Sequence, residues 1–405
     1  MISVAEARRQ ITEAVPVMPA EQIALADAFG RVLAEDLSAR RTQPPRAVSA
    51  MDGYAVLAAD VETLPARLNI VAEIPAGQSF EGTIGSGEAA RIFTGAPVPK
   101  GADTIVIQEN TNRDGDVVDV IDGKAPAGRF IRPAGLDFSE GDTLLTAGKL
   151  LTARDIGLAA GMNIPWLKVR RKPRIALLAT GDEVVMPGDR IGANQIVSSN
   201  GLALRSFVMA CGAEPIDLGI APDSEDALRA MAEGARGADM LITTGGASVG
   251  DHDLVQKVLG DIGLEVDFWR IAMRPGKPLM FGAIGETRMM GLPGNPVSAL
   301  VCATIFLRPA LHAMLGLADL GTTEHQAVLT AALGENDERE DYLRATLSIG
   351  DDGTRQATPL DKQDSSVFSG LAKADCLLIR APFAPPAKVG DRVRILPLGG
   401  GGLSI

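Results

Sequence analysis

The segment Arg174-Ile-Ala-Leu-Leu-Ala-Thr180 is a continuous apolar run of strand length that begins directly after Lys172-Pro173. Such a run predicts a buried strand. The sequence that follows carries apolar side chains at the i, i+3, i+4 and i+7 spacing of a helix, namely Leu204, Phe207, Val208 and Cys211. The two patterns together predict a strand followed by a helix that packs on it.

The same unit repeats toward the C-terminus. Strand-type runs alternate with helix-type runs, in the order Ile216–Ile220 (strand), Leu228–Ala235 (helix), Asp239–Thr243 (strand), Leu254–Ile262 (helix), Val266–Ala272 (strand), Arg288–Leu292 (strand) and Pro296 to about Leu315 (helix). Alternation of this length is typical of a doubly wound, mostly parallel sheet with right-handed crossovers. We therefore predict an α/β domain over residues 171–317.

The regions on either side of this domain show a different pattern of predicted helices and strands. The first residues predict helix, turn and helix, with the second helix running through Leu25, Ala28, Val32 and Leu33. Short β-type runs separated by Gly, Pro and Asp follow, and they include Leu68–Ile74, Thr104–Gln108 and Val117–Ile121. Helical character returns at Leu151–Gly161, and after Leu320 the chain is again strand-like, with an alternating run at Val389–Leu396.

These patterns of predicted secondary structure indicate a multidomain α/β protein. A discontinuous helical domain comprises residues 1–39 and 143–170, and a β-rich domain of residues 40–142 is inserted into it. The α/β domain covers residues 171–317, and a C-terminal β domain, barrel-like by resemblance to a family described below, covers residues 318–405.

Composition narrows the class of protein. The 405 residues contain 39 Lys and Arg against 51 Asp and Glu, a net charge of -12, so broad attraction to nucleic acid or an anionic membrane is not expected. Three widely spaced cysteines, Cys211, Cys302 and Cys376, form no Cys-x-x-Cys pair, which argues against a structural zinc site or a disulfide framework. This usage fits a soluble protein of the reducing cytoplasm.

The N-terminus and the most apolar stretch support the same expectation. Met1–Arg9 lacks the apolar region of a signal peptide, and Ser3 with Glu6 instead predicts a capping box that opens a helix. Val297–Leu307 is stopped by Arg308, and we expect it to be too short to span a bilayer.

Functional groups collect in the predicted loops after the strands. In open parallel sheets, ligands bind at the carboxyl ends of the strands. The loops there are Thr180-Gly-Asp-Glu183, the loop at Asp223, Thr244-Gly-Gly-Ala-Ser-Val-Gly-Asp-His-Asp253, Met273-Arg-Pro-Gly-Lys-Pro278 and Leu292-Pro-Gly-Asn-Pro296. One edge of the sheet is thus predicted to hold carboxylates, glycine-rich backbone and two cations.

Each group suggests a chemistry. Backbone N–H groups of the Gly245–Gly250 turn can approach an anion closely. Arg274 and Lys277 can neutralise a phosphate or an oxyanion. Four acids are hard oxygen ligands of the kind that suits Mg²⁺: Glu183, Asp223, Asp251 and Asp253. Together these groups predict a phosphorylated substrate that is handled with a metal.

Plainer interpretations stay open for each group taken alone. Asp223 can simply cap the following helix, Gly245-Gly246 can be a tight turn, and Lys277 can be a surface lysine. Gly85-Ser-Gly-Glu-Ala-Ala90 fits a relaxed dinucleotide-binding pattern, but β-type sequence follows it where a helix is required, so we reject that interpretation. The sequence contains no Gly-x-x-x-x-Gly-Lys-Ser/Thr loop, which excludes an ordinary P-loop nucleotide hydrolase.

Six motifs taken together carry a resemblance to a known family. They are Ser49-Ala-Met-Asp-Gly-Tyr-Ala55, Phe93-Thr-Gly-Ala-Pro-Val-Pro99, Ala179-Thr-Gly-Asp-Glu183, Thr244–Asp253, Arg274-Pro-Gly-Lys-Pro278 and Gly291-Leu-Pro-Gly-Asn-Pro-Val-Ser298. In this order and spacing the chain resembles the molybdopterin molybdenumtransferases, the bacterial relatives of the gephyrin E domain. The resemblance covers essentially the whole chain.

The resemblance implies an architecture and a reaction. It implies four domains and a homodimer whose active-site cleft lies between the α/β domain of one subunit and the inserted β domain of the other. The implied reaction takes adenylylated molybdopterin with molybdate as co-substrate, inserts molybdenum at the dithiolene and releases AMP. Mg²⁺ is the implied cofactor.

The resemblance also implies roles for individual residues. The implied catalytic residues are Asp253, Glu183, Asp52 and Lys277. The implied substrate-binding residues are Thr94, Asp223, Gly245, Gly246, Ser248, Gly250, Arg274, Pro293, Pro296 and Ser365. The implied metal ligands are Asp253, Glu183 and Asp223. Family members often carry Lys where Arg274 stands, and they commonly read Gln-Gly-Ser-His where this chain reads Gln363-Asp-Ser-Ser366.

The same motifs leave two alternative functions open. A molybdopterin adenylyltransferase shares a similar α/β domain and Gly-Gly loop, although the two β domains and the Met-Asp-Gly-Tyr motif argue against it. A gephyrin-like scaffold that binds a partner's peptide is the second alternative, and the retained acids and basic segment argue against it. Further partners implied by the resemblance are the molybdopterin adenylyltransferase and the enzymes that accept the cofactor.

Overall fold

The N-terminal part of the chain contains one long helix rather than two. The structure is a computed structural model and describes residues 1–245 and 254–399. Its first elements are α1 (Val4–Ala14), β1 (Ala20–Ala24), a 3₁₀ turn (Leu25–Asp27) and β2 (Leu37–Ser38). The Ser3 side chain accepts from the Glu6 N–H at 3.2 Å, but the Glu6 carboxylate accepts from Arg9 and Gln10. The predicted capping box is therefore only half formed.

The second helix predicted for this region is wrong. Strand β1 pairs antiparallel with Trp166–Arg170, and Leu33 forms a further bridge to Val169. Ala28, Val32 and Leu33 are buried as their spacing suggested, but they are buried by segments more than a hundred residues away. Pairing with a distant strand has overridden the local helical spacing.

A β-rich region follows and then returns to the helical one. Its elements are β3 (Val48–Ser49), β4 (Gly53–Val56), a 3₁₀ turn (Ala58–Val61), β5 (Ala66–Ile74), β6 (Glu88–Ile92), β7 (Thr104–Ile107), a 3₁₀ turn (Gln108–Asn110), β8 (Thr111–Asp114), β9 (Val117–Val120), β10 (Ile131–Arg132) and β11 (Thr143–Leu145). Six strands form a mixed sheet in the order β7-β4-β6-β5-β9-β8. Helix α2 (Ala153–Gly161) and β12 (Trp166–Arg170) come next, so the three predicted strands and the helical return are confirmed.

The central region is built on a six-stranded sheet. Its elements are β13 (Arg174–Thr180), β14 (Val184–Val185), β15 (Ile196–Val197), α3 (Asn200–Ala210), β16 (Glu214–Ala221), α4 (Glu225–Glu233), β17 (Met240–Thr244), α5 (Leu254–Asp261), β18 (Leu264–Trp269), β19 (Met273–Arg274), β20 (Met280–Ile284), β21 (Thr287–Leu292), α6 (Pro296–Cys302), a π-helical turn (Ala303–Leu307) and α7 (Arg308–Met314). The order is β16-β13-β17-β21-β20-β18. Strands β16, β13, β17 and β21 are parallel, and β20 runs antiparallel between β21 and β18.

The apolar run of β13 is explained by burial on both faces of this sheet. Ile175 and Leu177 belong to a core on one face, whereas Ala176 and Leu178 belong to a core on the other. A strand covered on both sides has no polar face, and its sequence therefore shows no alternation. The predicted mostly parallel sheet is confirmed, although the antiparallel strand β20 was not predicted.

The helical run Pro296–Met314 has the extent that the sequence predicted. Within the described residues, this one helix has the length and composition to cross a membrane. The apolar stretch Val297–Leu307 forms only part of this helix, which continues through Arg308. Most of the run is buried among other residues of this chain, which is the environment of a core helix.

The C-terminal region is a closed barrel. Its elements are β22 (His325–Leu329), β23 (Glu340–Ile349), β24 (Arg355–Pro359), α8 (Phe368–Lys373), β25 (Cys376–Arg380) and β26 (Arg392–Pro397). The barrel closes because β23 pairs with both β24 and β25. The short strand β19 pairs with the start of β23, so the barrel is hydrogen-bonded to the central region at the edge where the predicted functional loops lie.

Candidate functional site

A cleft of about 930 Å³ opens at the carboxyl ends of the parallel strands, between the central sheet and the C-terminal barrel. Seven residues predicted from the sequence line it: Glu183, Gly245, Arg274, Lys277, Pro293, Pro296 and Ser365. The topology explains the convergence, because parallel strands deliver all their following loops to one edge of the sheet.

Gly245 holds the ends of two neighbouring strands close together. Its φ is +89°, a conformation that favours glycine. A Cβ atom there would lie 2.7 Å from the Thr180 carbonyl oxygen. A side chain at this position would push the strand ends apart, so the residue type is explained by packing as well as by any contact with a ligand.

The two basic residues of the cleft have different surroundings. The Arg274 guanidinium donates to Asp337 at 3.1 Å and to the Asn336 side chain at 3.2 Å, and it also pairs with the buried Asp341. In residues 1–245 and 254–399, no carboxylate lies within ion-pair distance of the exposed Lys277 side chain. Arg274 therefore links the cleft to the barrel, and Lys277 is the more available cation for an anionic ligand.

The proline loop is bonded to its neighbours on both sides. The Asn200 side chain donates to the Gly294 carbonyl at 2.7 Å. The Asn295 side chain donates to the Ser365 hydroxyl at 2.9 Å, and the Val297 N–H donates to the Ser365 carbonyl at 3.2 Å. These bonds place Ser365 of the barrel against the loop between Pro293 and Pro296.

The departures at Asp364 and Ser366 have a local explanation. The Ser366 N–H and hydroxyl both donate to the Asp364 carboxylate, and these bonds lower the pKa of Asp364, the hydroxyl bond most. The two residues satisfy each other in a tight turn. The turn leaves the intervening Ser365 hydroxyl free to accept from Asn295.

The predicted metal ligands are only partly brought together. Glu183 lines the cleft, whereas Asp223 does not, and its carboxylate accepts instead from the Asp182 N–H at 3.4 Å. Five candidate residues from the sequence lie outside the described residues, namely Gly246, Ser248, Gly250, Asp251 and Asp253. Among the residues that are described, no three His, Cys, Asp or Glu side chains form a group that could hold a metal ion.

A buried arginine behind the cleft was missed by the sequence analysis. Arg344 is 0% exposed, and its Nε and Nη1 atoms have no hydrogen-bond partner among the described residues. Its Nη2 donates to the Lys362 carbonyl at 2.9 Å, beside the cleft residue Gln363. Burial lowers the pKa of Arg344, and a buried cation with unpaired donors is costly unless an anion compensates it. The sequence offered no signal for it, because strand β23 mixes charged, polar and apolar residues.

Asp52 and Thr94 lie together in the inserted region, away from this cleft. The Thr94 N–H and hydroxyl donate to one oxygen of the Asp52 carboxylate, at 2.7 and 2.8 Å. These bonds lower the pKa of Asp52, and the bond from the Thr94 backbone N–H contributes most. Neither residue lines the cleft at the central sheet.

A second cavity of about 620 Å³ lies beside Thr94, since the next residue, Gly95, lines it. Its charged lining side chains are Arg41, Arg46, Arg132 and Asp137. Three guanidinium groups against one carboxylate make this cavity electropositive, and an anionic group is favoured there.

The cysteines take no part in either cavity. All three are unpaired and buried. Burial raises the pKa of Cys211 to about 11 and the pKa of Cys376 to about 12, and it also raises the pKa of Cys302. Protonated thiols are poor nucleophiles and poor metal ligands, so the chemistry of this site rests on oxygen and nitrogen groups.

Comparison with protein families gives three matches along the chain. Residues 2–162 match the model described as the MoeA N-terminal region (domain I and II). Residues 176–313 match the model described as a probable molybdopterin binding domain. Residues 326–398 match the MoeA C-terminal region (domain IV).

Curated relatives and solved structures agree with these matches. A molybdopterin molybdenumtransferase from Haemophilus influenzae is 32% identical over 400 residues, which cover 98% of each chain. One from Nostoc sp. is 39% identical over 330 residues, covering 78% of this chain and 76% of the relative. The crystal structure of a molybdopterin biosynthesis MoeA protein from Pyrococcus horikoshii superposes with a TM-score of 0.85 at 30% identity, covering 99% of this chain and 100% of that one.

Proposed function

Because the chain belongs to the molybdopterin molybdenumtransferases, a family of transferases in molybdenum cofactor biosynthesis, we propose how it carries out this transfer. It takes molybdenum from molybdate to adenylylated molybdopterin and releases AMP in a Mg²⁺-dependent reaction. The observation that carries the proposal is the cleft where Glu183, Lys277, the proline loop and Ser365 meet. This cleft combines an acid, a cation and polar groups on elements that are hydrogen-bonded to one another.

Positive charge in and behind the cleft supports binding of anions. Lys277 is exposed in it, and Arg344 lies behind Gln363 with two nitrogen atoms that have no partner in the described part of the chain. Molybdate and a phosphoanhydride are both anionic, and fixed cations stabilise the charge that develops when a phosphoanhydride bond is broken. Lys277 and Arg344 therefore supply the electrostatic part of catalysis.

The acids of this edge fit a magnesium ion only together with a substrate. Mg²⁺ commonly uses one or two protein carboxylates and completes its coordination with waters and substrate phosphates. Glu183, Asp223 and Asp253 would hold the ion, and the ion would neutralise charge on the phosphoanhydride. Glu183 lies in the cleft, which agrees with this role.

The separate position of Asp52 and Thr94 supports a shared cleft in a homodimer. They lie at the ends of strands β4 and β6 of another sheet, beside a cavity lined by three arginines, and they do not line the cleft at the central sheet. In a two-fold symmetric dimer the same pair of surfaces meets twice. The inserted region of one subunit then completes the cleft of the other, in the cytoplasm, where the unpaired cysteines are stable.

A direct assay tests the reaction. Purified protein is incubated with adenylylated molybdopterin, Mg²⁺ and molybdate, and AMP is quantified by chromatography. We expect AMP release that requires molybdate and yields active cofactor for an apo-molybdoenzyme. Adenylylation of molybdopterin from ATP without molybdate would favour the adenylyltransferase alternative. Absence of any AMP release would favour the scaffold.

Mixing two inactive variants tests the shared cleft. The Asp52→Asn chain and the Lys277→Met chain are refolded or co-expressed in equal amounts. If each cleft uses Asp52 of one subunit and Lys277 of the other, a random mixture should recover roughly one quarter of wild-type activity, because half the dimers contain one intact cleft. No recovery, or a stable monomer in light scattering, would exclude the shared cleft.

A further inference from the structure

We propose that Arg91 is the positioning residue of the Asp52–Thr94 pair. Its side chain contacts both chain segments that carry the pair, and neither the sequence motifs nor the comparisons assign it a role. The inference rests on the proposed function in one respect only, which is that Asp52 and Thr94 act in the reaction. Arg91 itself is argued to act through them and not on the substrate.

Arg91 bonds to the Asp52 segment on one side. Its Nη1 donates to the Gly53 carbonyl at 2.9 Å, and its Nη2 donates to the Gln108 side chain at 2.6 Å. The Gln108 N–H in turn donates to the Asp52 carbonyl at 3.1 Å. The guanidinium therefore bridges the two chain segments between which the backbone of Asp52 is held.

Arg91 contacts the Thr94 segment through an aromatic ring. The centre of its guanidinium lies 4.6 Å from the centroid of the Phe93 ring and 5.3 Å from that of the Tyr54 ring. Tyr54 is its direct partner across the β4–β6 pair, and Phe93 immediately precedes Thr94. Cations on aromatic faces within about 6 Å are attracted by the ring, so Arg91 holds the Thr94 segment as well.

The backbone at Gly53, whose carbonyl accepts from Arg91, is held in place by its neighbouring strands. A Cβ atom at Gly53 would lie 1.9 Å from the Val106 carbonyl oxygen, so the pairing of β4 with β7 leaves no room for a side chain there. The carbonyl that Arg91 binds is consequently fixed by strand pairing on both sides. Because strand pairing fixes this carbonyl, the contacts of Arg91 tie the position of the Phe93–Thr94 segment to it.

An arginine fits this role better than a lysine. The guanidinium is planar, donates in two directions at fixed angles and stacks on aromatic rings, whereas an ammonium is a point charge on a flexible stem. The charge of Arg91 also lowers the pKa of Asp52, although less than the two bonds from Thr94 do. If Arg91 acts by positioning, a lysine at this site, which keeps the positive charge but lacks the planar guanidinium, should not replace it.

A double-mutant cycle on the full-length protein tests the inference. Arg91→Lys should lower kcat about tenfold with little change in KM, because a misplaced catalytic group costs rate more than binding. In an Asp52→Asn background the same substitution should have no further effect, because its target is already lost. Equal, additive effects in both backgrounds would overturn the inference.

A second measurement does not depend on activity. Hydrogen–deuterium exchange of the peptide that contains Thr94 should be about tenfold faster in Arg91→Lys than in wild type, while the peptide of strand β13 exchanges as before. Unchanged exchange at Thr94 would overturn the inference. Faster exchange with wild-type kcat would support the positioning and instead remove Asp52 and Thr94 from the reaction.

Two further variants separate positioning from folding. Arg67→Gln removes an exposed arginine of the same sheet, which pairs with Asp119, and it should change neither kcat nor exchange at Thr94. Gln108→Ala removes only one of the contacts of Arg91 and should give the same changes as Arg91→Lys at smaller size. An effect of Arg67→Gln equal to that of Arg91→Lys would overturn the inference.

Discussion

The cleft at the central sheet and the Asp52–Thr94 pair are assembled in opposite ways. In the cleft, residues from 183 to 365 converge because parallel strands and the barrel bring distant loops together. In the inserted region, Asp52 and Thr94 are joined by direct hydrogen bonds at the ends of neighbouring antiparallel strands. The cleft is a large cavity lined by residues that are far apart in the sequence, whereas Asp52 and Thr94 are hydrogen-bonded directly to each other.

This difference indicates where each region is vulnerable. In the cleft, single side chains supply charge, so we expect their removal to lower activity with little effect on folding. In the inserted region, position depends on backbone contacts, so we expect small steric changes to affect stability and activity together. Four substitutions test this contrast, from the largest expected effect to the smallest.

Lys277→Met should lower kcat/KM for AMP release by roughly a hundredfold to a thousandfold, as removal of a fixed group that stabilises developing negative charge does. The melting temperature should stay near that of wild type, because the side chain is exposed. Lys257→Met is the matched control, since Lys257 pairs with Glu225 on helix α4. Equal losses in both variants would contradict the role of Lys277.

Gly53→Ala should destabilise the protein by about 2–3 kcal/mol, because the added methyl group meets the Val106 backbone, which cannot move aside. The free energy of unfolding is measured by urea titration, and activity should fall with it. Gly157→Ala in helix α2 is the control, since nothing lies within 4 Å of a Cβ there. Equal stability of the Gly53→Ala variant and wild type would break the contrast.

Asp341→Asn should destabilise by about 1–2 kcal/mol, as loss of a hydrogen-bonded charge partner does. Asp341 is 4% exposed and pairs with Arg274, which keeps its bond to Asp337. Urea unfolding gives the stability, and molybdate-dependent AMP release gives the effect on the cleft. Loss of AMP release with unchanged urea unfolding would show that the pairing of Asp341 with Arg274 serves the cleft and not the fold.

Asp337 should make stability depend weakly on acidity. Hydrogen bonds from Arg339, its side chain first, lower the pKa of Asp337 to about 2, whereas an unfolded aspartate titrates at about 3.9. The stabilisation is therefore complete above about pH 4 and is lost as pH falls toward 2. Urea midpoints from pH 5 to 2 should fall more gently in Asp337→Asn than in wild type, and parallel curves would contradict this.

The sequence predicted elements well where burial is two-sided or alternation is regular. Strand β13 was evident from its apolar run, and the cleft residues of the central region followed from the rule that loops after parallel strands converge. Ser365 was implied only by the family resemblance. Strand β1 was not predictable locally, because its partner strand β12 lies about 140 residues away. Strand β20 was missed although only Gly285 and Glu286 separate it from β21, a connection of hairpin length.

The site was predictable where its residues stand in motifs or match the family, and not where a residue is placed by its packing partners. Glu183, Lys277 and Ser365 stand in recognisable motifs, and the structure places them in one cleft. The roles proposed for Arg344 and Arg91 rest on partners that only three-dimensional contacts identify. A charge that is defined by what surrounds it has no signature in a linear pattern.

The short pairing of β19 with β23 makes the C-terminal barrel inseparable from the cleft. Met273 and Arg274 pair in register with Glu340 and Asp341, and the same arginine carries ion pairs to the barrel. Excision of the barrel would leave a strand edge without its partner and a guanidinium without its counter-charges. The chain is modular in sequence, yet the C-terminal barrel also forms one wall of the cleft.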